Sequence, residues 1–192
     1  MIYVTNIALA AVPVNITPLI DDTDFKTRKT AVVYNSAGMD LVWNFTTALG
    51  AFTQTAVTPT TAGVHDWVNQ GDGMYTLEIP KTGGTINNTL VGTGYFTGLA
   101  TGVLPWAGPS CEFVLGGEIT SGSPSTTAFI CAGLTSGNTD QFKDAYVTFL
   151  SGTLAGATKK ITAFNFTTDT ITCDAFAASP SIGDVFMIVN GA

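Results

Sequence analysis

Charged residues are scarce in this chain, and basic ones are scarcest. Of 192 residues only 11% are charged, and 7 Lys and Arg stand against 14 Asp and Glu, for a net charge of −7. Binding to nucleic acid or to an anionic membrane surface needs clustered basic side chains. The composition therefore excludes nucleic acid and membranes as expected partners.

Long apolar runs are also missing. Residues 1–20 are mostly apolar, but Pro13 and Pro18 interrupt them and the first basic residue is Lys26. A signal peptide needs an early positive charge, and a membrane-spanning helix needs about 18 uninterrupted apolar residues. Residues 1–17 are therefore interpreted as an extended N-terminal arm that is buried against a neighbouring subunit.

Histidine and cysteine are too few for the common catalytic and metal sites. His65 is the only histidine, and the three cysteines, Cys111, Cys131 and Cys173, have no metal-binding spacing. A nucleophilic triad or a zinc site would need more of these residues in recognisable patterns. We expect no enzyme activity, no cofactor and no metal. His65 is predicted to be a loop residue on a sandwich rim, and the cysteines are predicted to be small buried hydrophobic residues in a reducing cytosol.

Threonine and glycine, by contrast, are abundant. The chain contains 32 Thr and 21 Gly, and 45% of its residues are hydrophobic. Threonine is β-branched and suits a pleated surface with one wet face. The sequence therefore predicts an all-β protein with uncharged polar faces, which are common where copies of a protein pack together.

The first part of the chain predicts an antiparallel β-sandwich, jelly-roll or Ig-like, over residues 18–116. Glycine, Asn, Asp and Pro punctuate its strand-like runs at the spacing of a sandwich. Pro80 ends one run because it has no N–H for the ladder, and residues 71–73 (GDG) predict a hairpin turn. The predicted strands are 30–35, 41–46, 73–79, 94–98 and 111–115.

The second part of the chain predicts a separate, smaller domain. Residues 117–125 form a small-residue linker, and residues 126–192 are predicted to fold as a small five-stranded β-barrel, SH3-like or OB-like. A hairpin turn is expected at residues 167–169. The five predicted strands are 126–132, 145–150, 157–164, 170–174 and 184–189.

Residues 21–24 (DDTD) are the densest acidic cluster. A calcium loop needs more oxygens at wider spacing, so we favour an acidic elbow in which Asp21 or Asp22 accepts backbone N–H groups. Asp24 is expected to pair with one of the basic residues in 26–29. Weak calcium binding stays open as an alternative.

The tryptophans and the carboxylates raise two further functional hypotheses, glycan binding and glycoside hydrolysis. Trp43, Trp67 and Trp106 are expected to be core or subunit-interface anchors, and the alternative is that Trp67 or Trp106 stacks on a host glycan. A glycosidase would need two facing carboxylates, for which Asp66, Asp72, Glu78 and Glu112 are available. The sequence alone does not show whether any two of them face each other.

Several runs resemble structural proteins of tailed bacteriophages. The run from Pro18 to Phe45, together with GDGMYTLEIP and GYFTGLATGVLPWAGP, is similar to an N-terminal module that recurs in phage and prophage virion proteins. Residues 144–189 resemble a small β-module that often follows it. The resemblance spans roughly residues 18–189 and carries no catalytic residues.

This resemblance implies a component of the virion, made in the host bacterial cytoplasm. A capsid decoration, or cement, protein that stabilises the head shell is the favoured role; a tail, baseplate or fibre-attachment protein and a glycan-binding module are the alternatives. The implied partners are the major capsid protein or tail proteins and further copies of the chain, arranged as a homotrimer.

The predicted contacts with those partners lie mostly in the N-terminal arm. Deletion of residues 1–17 is therefore expected to leave a folded, soluble protein that no longer binds capsids. The interface candidates are Ile2, Tyr3, Val4, Ile7, Leu9, Val14, Ile16, Leu19, Trp67 and Trp106.

Overall fold

The structure is a computed structural model that describes residues 1–134 and 138–189. Across these residues the regular structure is β-strand, which confirms the all-β prediction. The chain divides into two compact units. Unit 1 comprises Met1–Tyr3 and Ile7–Phe113, and unit 2 comprises Val4–Asn6 and the chain from Val114 onward.

The strands are numbered in chain order. They are β1 Ile2–Val4, β2 Leu9–Pro13, β3 Asp40–Thr47, β4 Phe52–Val57, β5 Trp67–Gly71, β6 Met74–Ile79, β7 Gly92–Ala100, β8 Val103–Ala107, β9 Cys111–Val114, β10 Gly116–Glu118, β11 Ala128–Ile130, β12 Tyr146–Phe149, β13 Thr158–Asn165, β14 Thr170–Cys173 and β15 Val185–Val189.

Unit 1 is a sandwich of two sheets. The larger sheet has the order β1-β9-β7-β3-β4, with β8 also paired to β7, and the smaller sheet has the order β2-β6-β5. Side chains from both sheets form one core, which includes Trp43, Phe96 and Phe113 from the larger sheet and Val12 and Leu77 from the smaller. Alternation along each strand places these residues on the inner faces.

The N-terminal segment is part of this sandwich, so the prediction of an extended arm over residues 1–17 is wrong. Strand β2 runs antiparallel to β6, with Leu9 opposite Ile79 and Val12 opposite Leu77. Val12 and Val14 are completely buried. The segment is apolar because it completes the core of its own sandwich.

The predicted strand at residues 30–35 is also wrong, because this segment has no ladder partner in the structure. Val32 instead donates its N–H to the hydroxyl of Tyr75. The four other predicted runs of this half are confirmed, because they coincide with β3, β6, β7 and β9. Strands β1, β2, β4, β5 and β8 were not predicted, since their sequences are short, polar or interrupted by proline.

Unit 2 is one curled sheet with the order β10-β15-β12-β13-β14-β11. A bridge between Ser121 and Ile130 brings the segment after β10 against β11, so the sheet partly closes on itself. Its core is rich in phenylalanine, including Phe129, Phe149 and Phe186. The five predicted strands of this half are confirmed.

The predicted linker at residues 117–125 is wrong. Its first residues belong to β10, where Gly117 pairs with Phe186 and Glu118 pairs with Val185. Ile119 is buried in the core of unit 2. Small residues are needed here because Gly116 and Gly117 lie directly against neighbouring atoms, including the sulfur of Cys131. The sixth strand of the curled sheet thus comes from the segment expected to connect two domains.

Both predicted hairpin turns are confirmed. Residues 71–73 connect β5 to β6, and all three have positive φ angles. The β13–β14 hairpin turns through the residues between Asn165 and Thr170, where Asp169 has a φ of 49°. In the part of the chain that the structure describes, no helix has the length and apolar character needed to cross a membrane.

Candidate interaction surface

Most of the predicted interface residues are buried within the chain itself. Val4, Leu9, Val14 and Leu19 are each at most 8% exposed, so the prediction that they contact other subunits is wrong. Tyr3 and Ile7 are partly buried against the core of unit 1. Two others, Ile2 and Ile16, remain exposed.

Trp67 is a core residue, which excludes it as an interface anchor or a sugar platform. Its ring stacks on Tyr75 with 4.9 Å between the ring centroids. Its indole Nε1 donates to the carbonyl of Val32 at 3.1 Å. Trp106 is half-buried and covers Gly98, where its indole leaves no space for a side chain.

His65 holds two segments of unit 1 together. Its side chain is buried, which corrects the prediction of a rim residue, and its φ is 63°. Nδ1 lies 3.1 Å from the carbonyl of Glu78, and Nε2 accepts the N–H of Thr85 at 3.0 Å. Both ring nitrogens are therefore engaged by the backbone, an arrangement that positions a loop.

The acidic cluster at residues 21–24 forms an elbow. The Oδ1 of Asp21 accepts the backbone N–H of Thr23 at 2.8 Å, which confirms the predicted turn. Asp24 accepts the N–H groups of Lys26 and Thr27 and forms no ion pair among the described residues, so the expected pair within the same molecule is not found. The ion pair belongs to Asp21, whose Oδ2 lies 2.6 Å from the Nζ of Lys29.

Hydrogen bonds explain the electrostatics of this elbow. The Lys29 ammonium, together with Thr23, holds the pKa of Asp21 well below its usual range. The hydroxyl and N–H of Thr27 similarly lower the pKa of Asp24. Both carboxylates are thus engaged within the turn, and residues 1–134 and 138–189 contain no group of three or more acidic, His or Cys side chains that could hold a metal.

The three cysteines are buried free thiols, as predicted. Burial raises the pKa of Cys111, and burial together with the nearby charge of Asp174 raises the pKa of Cys173 to about 11. A reactive cysteine needs the opposite shift, since the thiolate is the nucleophile. These thiols therefore behave as small core side chains.

The outer face of the larger sheet of unit 1, called here the outer sheet face, is uncharged at its centre and carries two exposed carboxylates towards its margins, Asp40 on β3 and Glu112 on β9. Because Leu41, Trp43 and Phe45 point into the core, alternate residues point outward. The strand register aligns these outward residues across β4, β3 and β7. The uncharged centre of the outer sheet face consists of Val42, Asn44, Thr46, Phe52, Gln54, Ala56, Thr93, Tyr95 and Thr97.

A ladder of side-chain hydrogen bonds crosses the outer sheet face. Gln54 donates through Nε2 to the Oδ1 of Asn44 at 2.9 Å, and Asn44 donates through Nδ2 to the Oγ1 of Thr97 at 3.0 Å. Asn44 is only 2% exposed, while Phe52 and Tyr95 beside it are 54% and 38% exposed. The face is therefore held in shape and presents aromatic rings, a combination typical of protein interfaces.

The outer sheet face ends at a free strand edge. The N–H of Thr47 bonds to the carbonyl of Ala51, and this pairing sets the alternation along β4. Thr53 and Thr55 then bond to β3, while the N–H and C=O groups of Phe52, Gln54 and Ala56 point away from the sheet. Strand β4 has no second neighbour among the described strands.

A groove lined by polar and apolar side chains in similar measure runs along the inner side of the same edge. It lies between the inner residues of β4, Thr53 and Thr55, and the segment that carries Ile86 and Leu90. The groove has a volume of about 200 Å³, and Trp43 lies at its base. Strand β4 is thus accessible from its outer face, its edge and its inner side. Sequence reasoning missed this site, because the polar residues Thr53, Gln54 and Thr55 interrupt the apolar ones in β4 and the segment is not predicted as a strand.

Comparison with known proteins adds no family to this picture. No protein-family model matches the chain, and no curated protein is significantly similar to it.

Proposed function

We propose that this chain is a non-enzymatic structural protein of a tailed-phage virion, and that it decorates and stabilises the capsid. The observation that carries the proposal is the outer sheet face, a hydrogen-bonded surface whose centre is uncharged and which borders a free strand edge on an acidic protein. The resemblance of residues 18–189 to phage virion modules supports the same role.

The mechanism differs from that expected of a flexible arm. A preformed surface loses little conformational entropy when it binds, because its side chains are already ordered by the Gln54–Asn44–Thr97 ladder. Burial of roughly 400 Å² of apolar surface would contribute about 10 kcal/mol before ordering costs. Many copies that each add such a contact across subunit seams would stabilise a shell.

His65, Asp21 and Asp24 have structural roles, which supports the non-enzymatic part of the proposal. His65 holds Glu78 and Thr85 through its two ring nitrogens. Asp21 and Asp24 are engaged in turns. A general acid or base needs a side chain that is free to meet a substrate.

The test is to locate the chain in gradient-purified phage particles by mass spectrometry and immunogold electron microscopy. Labelling over heads would support capsid decoration. Labelling of the tail or baseplate would replace it with the alternative structural role. Absence of the chain from purified particles would overturn the proposal.

A surface variant tests the outer sheet face itself. Tyr95→Lys introduces a charge at the centre of this face, and we expect it to abolish binding to undecorated heads in a co-sedimentation assay. Phe166→Lys is the matched control, because Phe166 is a similarly exposed aromatic residue, 45% exposed, in the β13–β14 turn of unit 2. Loss of binding in both variants, or in neither, would count against the outer sheet face.

A further inference from the structure

Strand edges are normally protected against pairing with other chains, and nearly every free edge in the described residues carries such protection. Natural proteins shorten edge strands, interrupt them with bulges, or place proline or charge on them. Strands β1, β10 and β11 have three residues each. Strand β2 contains Pro13 and a register shift, β8 contains Pro105 and a register shift, and β5 has a register shift before Gly71.

Strand β4 is the exception. It has six residues, FTQTAV, with no proline and no charged side chain. Its register with β3 runs without a shift from Leu41–Val57 to Thr46–Phe52. Its outward backbone groups, on Phe52, Gln54 and Ala56, are therefore regularly spaced and open to a second strand.

We propose that β4 pairs antiparallel with β4 of a second copy of this chain, across a twofold axis at Gln54. This residue is the middle one of the three whose backbone points outward, so pairing about it uses all three on both copies. Gln54 would lie opposite Gln54 of the second copy, and Phe52 opposite Ala56, with about six backbone hydrogen bonds between them.

The side chains suit this register. On the outer face, the half-exposed ring of Phe52 would cover the small side chain of Ala56 from the other copy. On the inner face, Thr53 would lie beside Thr55, a favourable cross-strand pair. Because β4 is uncharged, the net charge of −7 on each chain places no like charges opposite each other at this edge.

A twofold edge-to-edge pair joins two larger sheets into one continuous sheet, and its contact is isologous. It differs from the homotrimer expected from the resemblance to virion proteins. It also goes beyond the proposed function, because it holds whether or not the chain is found in a virion.

The first test is the mass of the full chain in solution by sedimentation equilibrium. We expect twice the 19.9 kDa mass of one chain at micromolar concentration. A monomer at hundreds of micromolar, or a trimer, would overturn the proposal.

A charged substitution at Gln54, on the proposed twofold axis, tests the proposed register of the β4–β4 pair. Gln54→Lys places two like charges opposite each other, which costs several kcal/mol at an interface, so the dissociation constant should rise about 100-fold or more. Thr93→Lys puts the same charge on the same face but two strands away, at an exposed position, and should leave the dimer intact. Mixing Gln54→Lys with Gln54→Glu chains should restore a heterodimer. An unchanged dimer in Gln54→Lys would refute the register.

If the charged variants fail to fold, a disulfide cross-link tests the proposed pairing of β4 with β4 of a second copy. Directly opposed residues in such a pair have Cα atoms about 5.5 Å apart, a distance that a disulfide can bridge. Gln54→Cys should therefore form a covalent dimer under mild oxidation, whereas Thr93→Cys should not. The three native thiols are buried and do not compete. Absence of the Gln54→Cys dimer would overturn the proposal.

Discussion

The two units differ in which parts of the chain supply the strands of their sheets. In unit 2, strands β12, β13 and β14 follow one another along the chain and pair with their immediate neighbours. In unit 1, the smaller sheet depends on β2, whose Leu9 lies opposite Ile79, and the larger sheet takes β1 from the first residues of the chain. Unit 2 also contains distant pairings, such as β10 with β15, but among the described strands it is unit 1 whose two sheets each take an edge strand from the first residues of the chain.

This difference determines where each unit is vulnerable. A hairpin such as β13–β14 needs only its own two strands and its turn. The core of unit 1 instead needs the N-terminal residues, because Val12 and Val14 fill its interior. We therefore expect unit 1 to lose much of its stability when the N-terminal segment is removed, although that segment is short and lies at the end of the chain.

The largest effect is expected from deletion of residues 1–17. Without β2 the smaller sheet loses an edge strand and exposes Leu77 and Ile79, so unit 1 should lose its cooperative unfolding transition. All three tryptophans lie in unit 1, so tryptophan fluorescence during urea denaturation measures this directly.

A milder pair of variants controls this experiment. Val12→Asp places a charge in the core and should resemble the deletion. Ile16→Asp changes an exposed residue of the same segment, 66% exposed, and should have little effect. A truncated chain that keeps a cooperative transition would show that the segment is dispensable after all.

The next largest effect is expected from Phe149→Ala in unit 2. Phe149 is completely buried, and its ring centroid lies 5.2 Å from that of Phe176 and 5.4 Å from that of Phe129. Truncation of such a residue costs about 3–5 kcal/mol of unfolding free energy.

Alkylation of the buried thiol of Cys173, followed by mass spectrometry across a urea series, reports the opening of unit 2. The exposed Phe166→Ala is the control and should change the unfolding free energy by less than about 0.5 kcal/mol. Equal alkylation curves for Phe149→Ala and the wild type would contradict the packing described for this core.

A smaller loss is expected from Asn15→Ala, which removes a side chain that fastens the end of the N-terminal segment. Asn15 donates to the carbonyl of Gly73 at 2.9 Å and accepts the N–H of Tyr75 at 3.0 Å. Both contacts are buried, so their loss should cost about 1–3 kcal/mol of unfolding free energy. Urea denaturation followed by tryptophan fluorescence measures it. The exposed Asn35→Ala should be neutral, and an equal effect of the two substitutions would contradict this role.

The smallest effect is expected from Asp21→Asn. The pKa of Asp21 is lower in the folded chain than in the unfolded one, so the pair with Lys29 stabilises the fold above the unfolded pKa of about 3.9. That stabilisation is lost as the pH falls through the still lower folded pKa. Thermal melts should therefore separate Asp21→Asn from the wild type at pH 7, and the difference should shrink as the pH falls from about 4 to 2.

The neighbouring Asp22→Asn serves as the control, because Asp22 forms no ion pair among the described residues. High salt should also reduce the difference at pH 7, since the pair lies near the surface. A difference between Asp21→Asn and the wild type that is as large at pH 2 as at pH 7 would rule out the ion pair as its cause.

The success of sequence-based prediction depended on the residues of each strand and not on the distance of its partner, since β7 and β9 were predicted while the hairpin partners β4, β5 and β8 were not. The strands of unit 2 and the turns at residues 71–73 and around 167–169 were predicted, because each is encoded by neighbouring residues. The role of β2 was missed, because an apolar segment that packs into the core of its own domain has the same kind of sequence as one that binds a partner subunit. The run at residues 30–35 looked like a strand, yet it lies outside any ladder.

By itself, the sequence determined the all-β class, the breaks between strands and the burial of the cysteines. These follow from threonine and glycine content, period-two alternation and turn residues, all of which act over a few positions. The tertiary structure alone decided the partner of β2, the burial of His65 and the exposure of the β4 edge. The residues of a strand specify which of its faces is apolar. Which strands pair with it depends on contacts between distant parts of the chain, so the backbone groups that remain unpaired are known only from the folded structure.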